Sequence, residues 1–171
     1  MFKALFTLLF ISGMREGELL GLFIKDIDFE KNEVHIYKNY YRENGKDYFT
    51  TPKTKSSNRV VVIDERTSNL LKQYLKTMIS NSPTNRLFPI SKSSLYNKKK
   101  WACQRSGVRE IRVHDLRHSN ITYLLQNGYD AKDVAYMVGH SNVNTTLQIY
   151  THTNTSRQKE MANTISEGLA I

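Results

Sequence analysis

The hydrophobic pattern divides the chain into a helical front, a strand-rich middle and a helical back. At the front, FKALFTLLFI puts Phe2, Phe6 and Leu9 on one helical face, with Leu5 and Leu8 beside them. Gly13 is expected to end this helix. MREGELLGLFIKDID then reads as a short helix, with Arg15 at or near its start and Leu19, Leu20 and Leu22 on its apolar side. Arg15 and Glu18 stand at i, i+3 and can pair. From Asp28 the pattern becomes that of strands. EVHIYKNYYRE is rich in β-branched and aromatic residues, Asn44-Gly45 signals a hairpin, and KDYFTT returns as a second strand. TPKTKSSNR makes another turn into a third strand, RVVVI. Together these predict a small three-stranded antiparallel sheet.

Helical spacing resumes at Asp64, an expected N-cap, with Leu70, Leu71, Tyr74, Leu75 and Met78 in register. NSPTNRLFPI is a loop marked by Pro83 and Pro89, and Ser93 to Ser106 reads as a helix. The helix from about His114 buries Ile121, Leu124 and Leu125 and stops at Asn127-Gly128. DAKDVAYMV follows with Val134, Met137 and Val138 inward, and Gly139 stops it. The run NTTLQIY ends at Tyr150. The tail, residues 153–171, has a weak apolar stripe of Met161, Ile165 and Leu169, a pattern suited to docking on another copy of the chain. The predicted class is mixed α/β, mainly helical, with one small sheet.

Composition narrows the partners. A chain of 171 residues makes one domain with a proper core. The apolar opening is about half the roughly twenty residues a membrane span needs, and nothing after it resembles a signal-peptide cleavage site. One cysteine, Cys103, excludes an intrachain disulfide and fits the reducing cytoplasm. Lys plus Arg number 25 against 16 acidic residues, a net charge of +9. That excess favours a polyanion, with nucleic acid ahead of an anionic membrane surface. Lys98, Lys99, Lys100 and Arg105 lie beside Trp101 on one helix and could follow a phosphate backbone, or form a solvated face.

Candidate chemistry gathers between His114 and His152. His114, Arg117 and His118 share a helix face. His114 and His118 have the spacing of a zinc helix. Asp115 stands where a zincin needs glutamate, though, and Arg117 would repel a dication, so no metal is expected. No phosphate-cradling G-x-x-x-x-G-K-[ST] or G-x-G-x-x-G motif is present, which leaves nucleotide enzymology without support. Attack of a phenol on a phosphodiester remains. It calls for forked guanidinium donors on the nonbridging oxygens, a proton donor for the leaving oxygen and help for a phenol of pKa about 10. The chain offers Arg15, Lys53, His114, Arg117, His140 and Tyr150.

These residues sit in GMREGELLGL, TPKTKSSNR, HDLRH, VGHS and IYTH, and in that order the chain resembles the tyrosine recombinase (phage integrase) family. The flavour is that of integrases from phages and conjugative transposons of low-GC bacteria. The resemblance covers nearly the whole chain. It implies the family's catalytic-domain fold over residues 1–171, with core-binding and arm-binding domains without a counterpart here. It implies DNA strand cleavage and transfer through a 3′-phosphotyrosyl intermediate, with no metal, ATP or other cofactor. By motif position Arg15 and Arg117 would clamp the phosphate. Lys53 would protonate the leaving 5′-oxygen, with Lys55 a competitor because the hairpin register is open. His114 would assist proton transfer at the nucleophile, His140 would bond the phosphate, Tyr150 would attack, and Glu18 would hold the site together. The implied partners are double-stranded DNA attachment sites and further copies of the chain, a tetramer on DNA, in the nucleoid of a bacterial cytoplasm. A DNA-binding module without catalysis and a type IB topoisomerase are the alternatives. An intact set of six reactive residues argues against the first; the second shares the chemistry.

Overall fold

The computed structural model describes residues 1–51 and 57–150. Among them the chain forms α1 (Phe2–Ser12), α2 (Glu16–Leu20), β1 (Ile27–Asp28), β2 (Glu33–Ile36), β3 (Asn39–Glu43), β4 (Lys46–Thr50) and β5 (Arg59–Val62). Five helices follow: α3 (Glu65–Leu75), α4 (Lys92–Ser106), α5 (Val113–Gln126), α6 (Ala131–Val138) and α7 (Val143–Tyr150). No described helix is long and apolar enough to cross a membrane.

The expected helix boundaries are set by the expected residues. Gly13 caps α1 in the left-handed region, Asp64 accepts from the Thr67 amide at the start of α3, and Gly139 caps α6 with φ +77. α1 buries Leu5, Leu8 and Leu9 completely, while Phe2 and Phe6 are only half-buried. Burying each such leucine contributes about 1.5–3 kcal/mol, so α1 is the central post of the larger core. That core also takes in α2, the sheet, Leu71 of α3, Leu95 of α4 and the Leu87-Phe88 loop. A smaller cluster, Ile121, Leu125, Val134 and Val138, holds α5 and α6 together.

The sheet departs from the expected order. EVHIYKNYYRE is two strands rather than one. Between them Tyr37 and Lys38 turn to the buried Asp26 carboxylate, with the Tyr37 hydroxyl donating at 2.6 Å and Lys38 Nζ at 2.8 Å. The three-stranded antiparallel sheet is therefore β1-β2-β5, with Val34 opposite Val61 and Ile36 opposite Arg59. β3 and β4 form a separate two-stranded hairpin about Asn44 and Gly45, both with positive φ as the tight turn requires.

The two clusters meet at the C-terminus of α1. Asn120 of α5 donates through Nδ2 to the carbonyls of Phe10 at 2.8 Å and Ile11 at 3.3 Å. A Cβ at Gly13 would fall 2.8 Å from Val138 Cγ1 and 2.9 Å from Asn120 Oδ1. Gly13→Ala should therefore cost at least about 1–3 kcal/mol, through left-handed backbone and forced separation of the clusters. Urea titration would register this as a lower midpoint. An unchanged midpoint would show that the seam is not tightly packed.

Candidate active site

The C-terminal turn of α6 organises the site. A helix end leaves carbonyls without amide partners and carries partial negative charge. Here the turn closes with a Schellman arrangement. The His140 amide donates to Ala135 O at 2.9 Å and the Gly139 amide to Tyr136 O at 3.1 Å. The next three carbonyls each receive an arginine from a different part of the chain. Arg59 Nε donates to Met137 O at 2.8 Å, Arg117 Nη1 to Val138 O at 2.6 Å, and Arg15 Nη2 to Gly139 O at 3.4 Å.

Arg117 projects from α5 into the seam and is 2% exposed. Its Nη1 also donates to Gly13 O at 2.8 Å, while Nη2 is buried without a partner. Burial, then the nearby Arg15 charge, pulls its pKa down to about 9. It stays cationic at neutral pH, but its charge is under-solvated and suited to an arriving anion. Arg15 is the N-cap of α2. Glu18, one turn on, accepts from the Arg15 amide at 2.8 Å and from Arg15 Nη1 at 3.0 Å. Burial alone would raise the Glu18 pKa, but hydrogen bonds and charge from Arg59, with help from Arg15, hold it below the usual carboxylate range.

His140 follows Gly139, and its Nδ1 lies 2.8 Å from Thr146 Oγ1 of α7. His114 opens α5 and meets His118 edge to face, with ring centroids 4.6 Å apart. Burial, with the Arg117 and Arg15 charges behind it, lowers His140 to about 4. His114 is lowered by burial, then by His118 and Arg117. Both rings are therefore neutral at physiological pH. Asp115 is tied to Arg112 at the α5 N-terminus, and no group of metal-binding side chains occurs among the described residues.

The sign of these shifts makes a prediction. The unfolded chain binds protons at His140 near pH 6.5, whereas the folded chain resists until about 4. Stability is then fully present above pH 6.5 and drains as pH falls toward about 4. His114 adds in the same direction. His140→Asn should flatten the fall in thermal midpoint across this window. Equal slopes for variant and parent would remove His140 as its source.

The structure thus gathers Arg15, Glu18, Arg117 and His140 about one helix end, with His114 on the same side of α5. Lys53 and Lys55 lie outside the described residues. Tyr150 is the last residue of α7, which packs on α5 and α6, and its side chain also lies outside the description. The basic run on α4 divides. Lys99, expected on a DNA face, turns inward to the Ile111 carbonyl and pairs with Glu110 at 2.9 Å, leaving it 8% exposed. Successive helix positions turn by about 100°, which carries Lys98 and Lys100 to either side of the direction that Lys99 buries. Lys98 packs over Trp101 at 4.1 Å, and Lys100 and Arg105 are exposed.

Arg59 escaped the sequence reading. Its signal was there: in RVVVI the alternation puts Arg59 on the same face as Val61 and Ile63, the buried one. A charge on the inward face of a strand is unusual enough to ask for a partner.

Known proteins bear on this geometry. Residues 1–157 match the model of the phage integrase family. The ICEBs1 integrase of Bacillus subtilis (strain 168) is 33% identical over 180 residues, covering 98% of this chain and 49% of that protein. The tyrosine recombinase XerA of Saccharolobus solfataricus is 31% identical, over 88% of this chain and 45% of the relative. The chain thus spans about half the length of the curated relatives it matches. Among solved structures, the Tn1549 transposon integrase in complex with a circular intermediate DNA superposes with TM-score 0.80. It is 25% identical, over 94% of this chain and 57% of that one. The crystal structure of XerA recombinase gives TM-score 0.73 at 26% identity, covering 95% and 56%. The fold is that of tyrosine recombinase catalytic domains, and the chain belongs to the phage integrase family.

Proposed function

We propose that residues 1–171 are the catalytic domain of a site-specific DNA recombinase, cleaving and rejoining strands through a 3′-phosphotyrosyl bond. The observation that carries this reading is the convergence of Arg15, Arg117 and His140 on the α6 C-terminus, with α7, which ends at Tyr150, packed on α5 and α6. Arg15 and Arg117 hold the nonbridging oxygens and oppose the charge that grows in the transition state, typically the largest catalytic contribution. With the Thr146 hydroxyl donating to Nδ1, neutral His140 keeps a proton on Nε2 as a further donor to the phosphate. Tyr150 Oη attacks phosphorus and passes its proton to His114. The 5′-oxygen departs with a proton from Lys53 or Lys55. The new ester conserves the energy of the old one. The 5′-hydroxyl of a partner strand can therefore displace the tyrosine with neither metal nor ATP. Four copies on two duplexes would perform two such rounds, and residues 153–171 are the segment proposed to reach a neighbouring copy. Lys98, Lys100 and Arg105, beside Trp101, are proposed to lie along the DNA backbone.

A duplex nicked close to the cleavage point tests the reading, because cleavage releases a short fragment and traps the intermediate. A DNA–protein adduct that survives denaturation is expected. Retarded DNA without an adduct would leave only a binding module. Transfer of the bound strand to a second duplex distinguishes a recombinase from a topoisomerase, which would only reseal its own strand.

A further inference from the structure

We propose that Arg59 is a positioning residue for strand cleavage, acting through Glu18 to keep Arg15 available to the phosphate. The inference rests on the function proposed above. Arg59 spends its donors on three pieces of the protein. Nε bonds Met137 O at 2.8 Å, Nη2 bonds Glu18 Oε2 at 3.0 Å, and Nη1 is shared between Glu18 Oε1 at 3.2 Å and Ser57 O at 3.3 Å. One planar group therefore ties β5 to α2, to the end of α6 and to the segment that follows Lys53.

Stability alone does not account for this arrangement. Both partners are buried, with side-chain exposures of 1% for Arg59 and 3% for Glu18. Attraction within such a pair barely repays its desolvation, and apolar residues of similar volume often do as well. The neighbours on the same strand face, Val61 and Ile63, are apolar already.

Charge gives the pair a purpose. Glu18 holds Arg15 through its backbone amide and Nη1. A carboxylate with Arg15 as its sole cation would compete with DNA for that guanidinium. Arg59 satisfies the Glu18 charge from the buried side. Glu18 then orients Arg15 without cancelling it, and Arg15, whose side chain is 40% exposed, can still meet an anion. With Arg117 counted, the cluster carries two uncompensated positive charges; without Arg59 it carries one.

Arg59→Met and Arg59→Lys test this in single-turnover adduct formation at saturating DNA, each rate normalised to the folded fraction. Arg59→Met should slow adduct formation about 100-fold with DNA affinity little changed, since misplacing a clamp is costly in the reaction itself. Arg59→Lys keeps the charge but loses the fork, and should fall between Arg59→Met and the parent. Adding Glu18→Gln to Arg59→Met removes the uncancelled carboxylate and should recover part of the rate. A neutral methylphosphonate at the cleaved linkage should shrink the Arg59→Met defect, because less charge needs opposing. Parent-like rates per folded molecule in both single variants would overturn the assignment. So would a defect of equal size on the neutral linkage, which would mark Arg59 as scaffold only. Absence of any adduct with the parent chain would instead overturn the recombinase reading itself.

Discussion

Tyr150→Phe is expected to abolish the covalent DNA adduct while DNA binding survives. Phenylalanine retains the ring and deletes only the phenolic oxygen, so the packing of α7 on α5 and α6 has little reason to change. Nothing nearby is expected to replace the nucleophile. His114 and His140 have lowered pKa values and are neutral, but a phosphohistidyl product would form through nitrogen and would not survive acid. Removing a nucleophile from a preorganised site costs on the order of a million-fold in rate, well past what a denaturing gel detects. An acid-stable adduct of parental yield from Tyr150→Phe would place the nucleophile elsewhere.

Arg117→Ala should be the most damaging change among the described residues, and it should injure both catalysis and folding. Losing a fixed donor aimed at developing charge costs about 100- to 1000-fold in rate. The structural loss is separate. Arg117 Nη1 serves Gly13 O and Val138 O, and so stitches the C-terminus of α1 to that of α6. Truncation orphans these two acceptors, at about 1–3 kcal/mol each. Arg117→Lys keeps a cation but cannot fork, and should rescue stability better than rate. Denaturant titration beside adduct kinetics separates the two effects. If the rate per folded molecule were unchanged in Arg117→Ala, the side chain would be a tie between helices and nothing more.

Local chemistry in the sequence carried much of the site. The pairing of Arg15 with Glu18 follows from their spacing along one turn, and the stop at Gly139 follows from its αL backbone. Asp64 and the Asn127-Gly128 stop are equally local. Long-range choices were harder to read. The break at Tyr37 and Lys38 depends on Asp26, more than ten residues earlier, and the pairing of β2 with β5 follows from that break. Lys99 looked like its neighbours in a basic run, but its direction depends on where Glu110 returns past α4. Arg59 required knowing that the buried face of β5 brings its first residue to Glu18. Proximity in sequence thus revealed caps and pairs, whereas roles set by convergence of distant segments emerged only with the fold.

The proposed DNA cleavage depends on that convergence: Arg15 at the start of α2, Arg117 of α5 and neutral His140 after α6 would meet one linkage within reach of the Tyr150 phenol. The direct test is to trap the adduct on nicked DNA, digest it with protease and locate the nucleotide-bearing peptide by mass spectrometry. The chain has ten tyrosines. The modification is expected on Tyr150 alone, joined to a DNA 3′-phosphate with a free 5′-hydroxyl opposite. A nucleotide on any other residue, or joined through a 5′-phosphate, would contradict it.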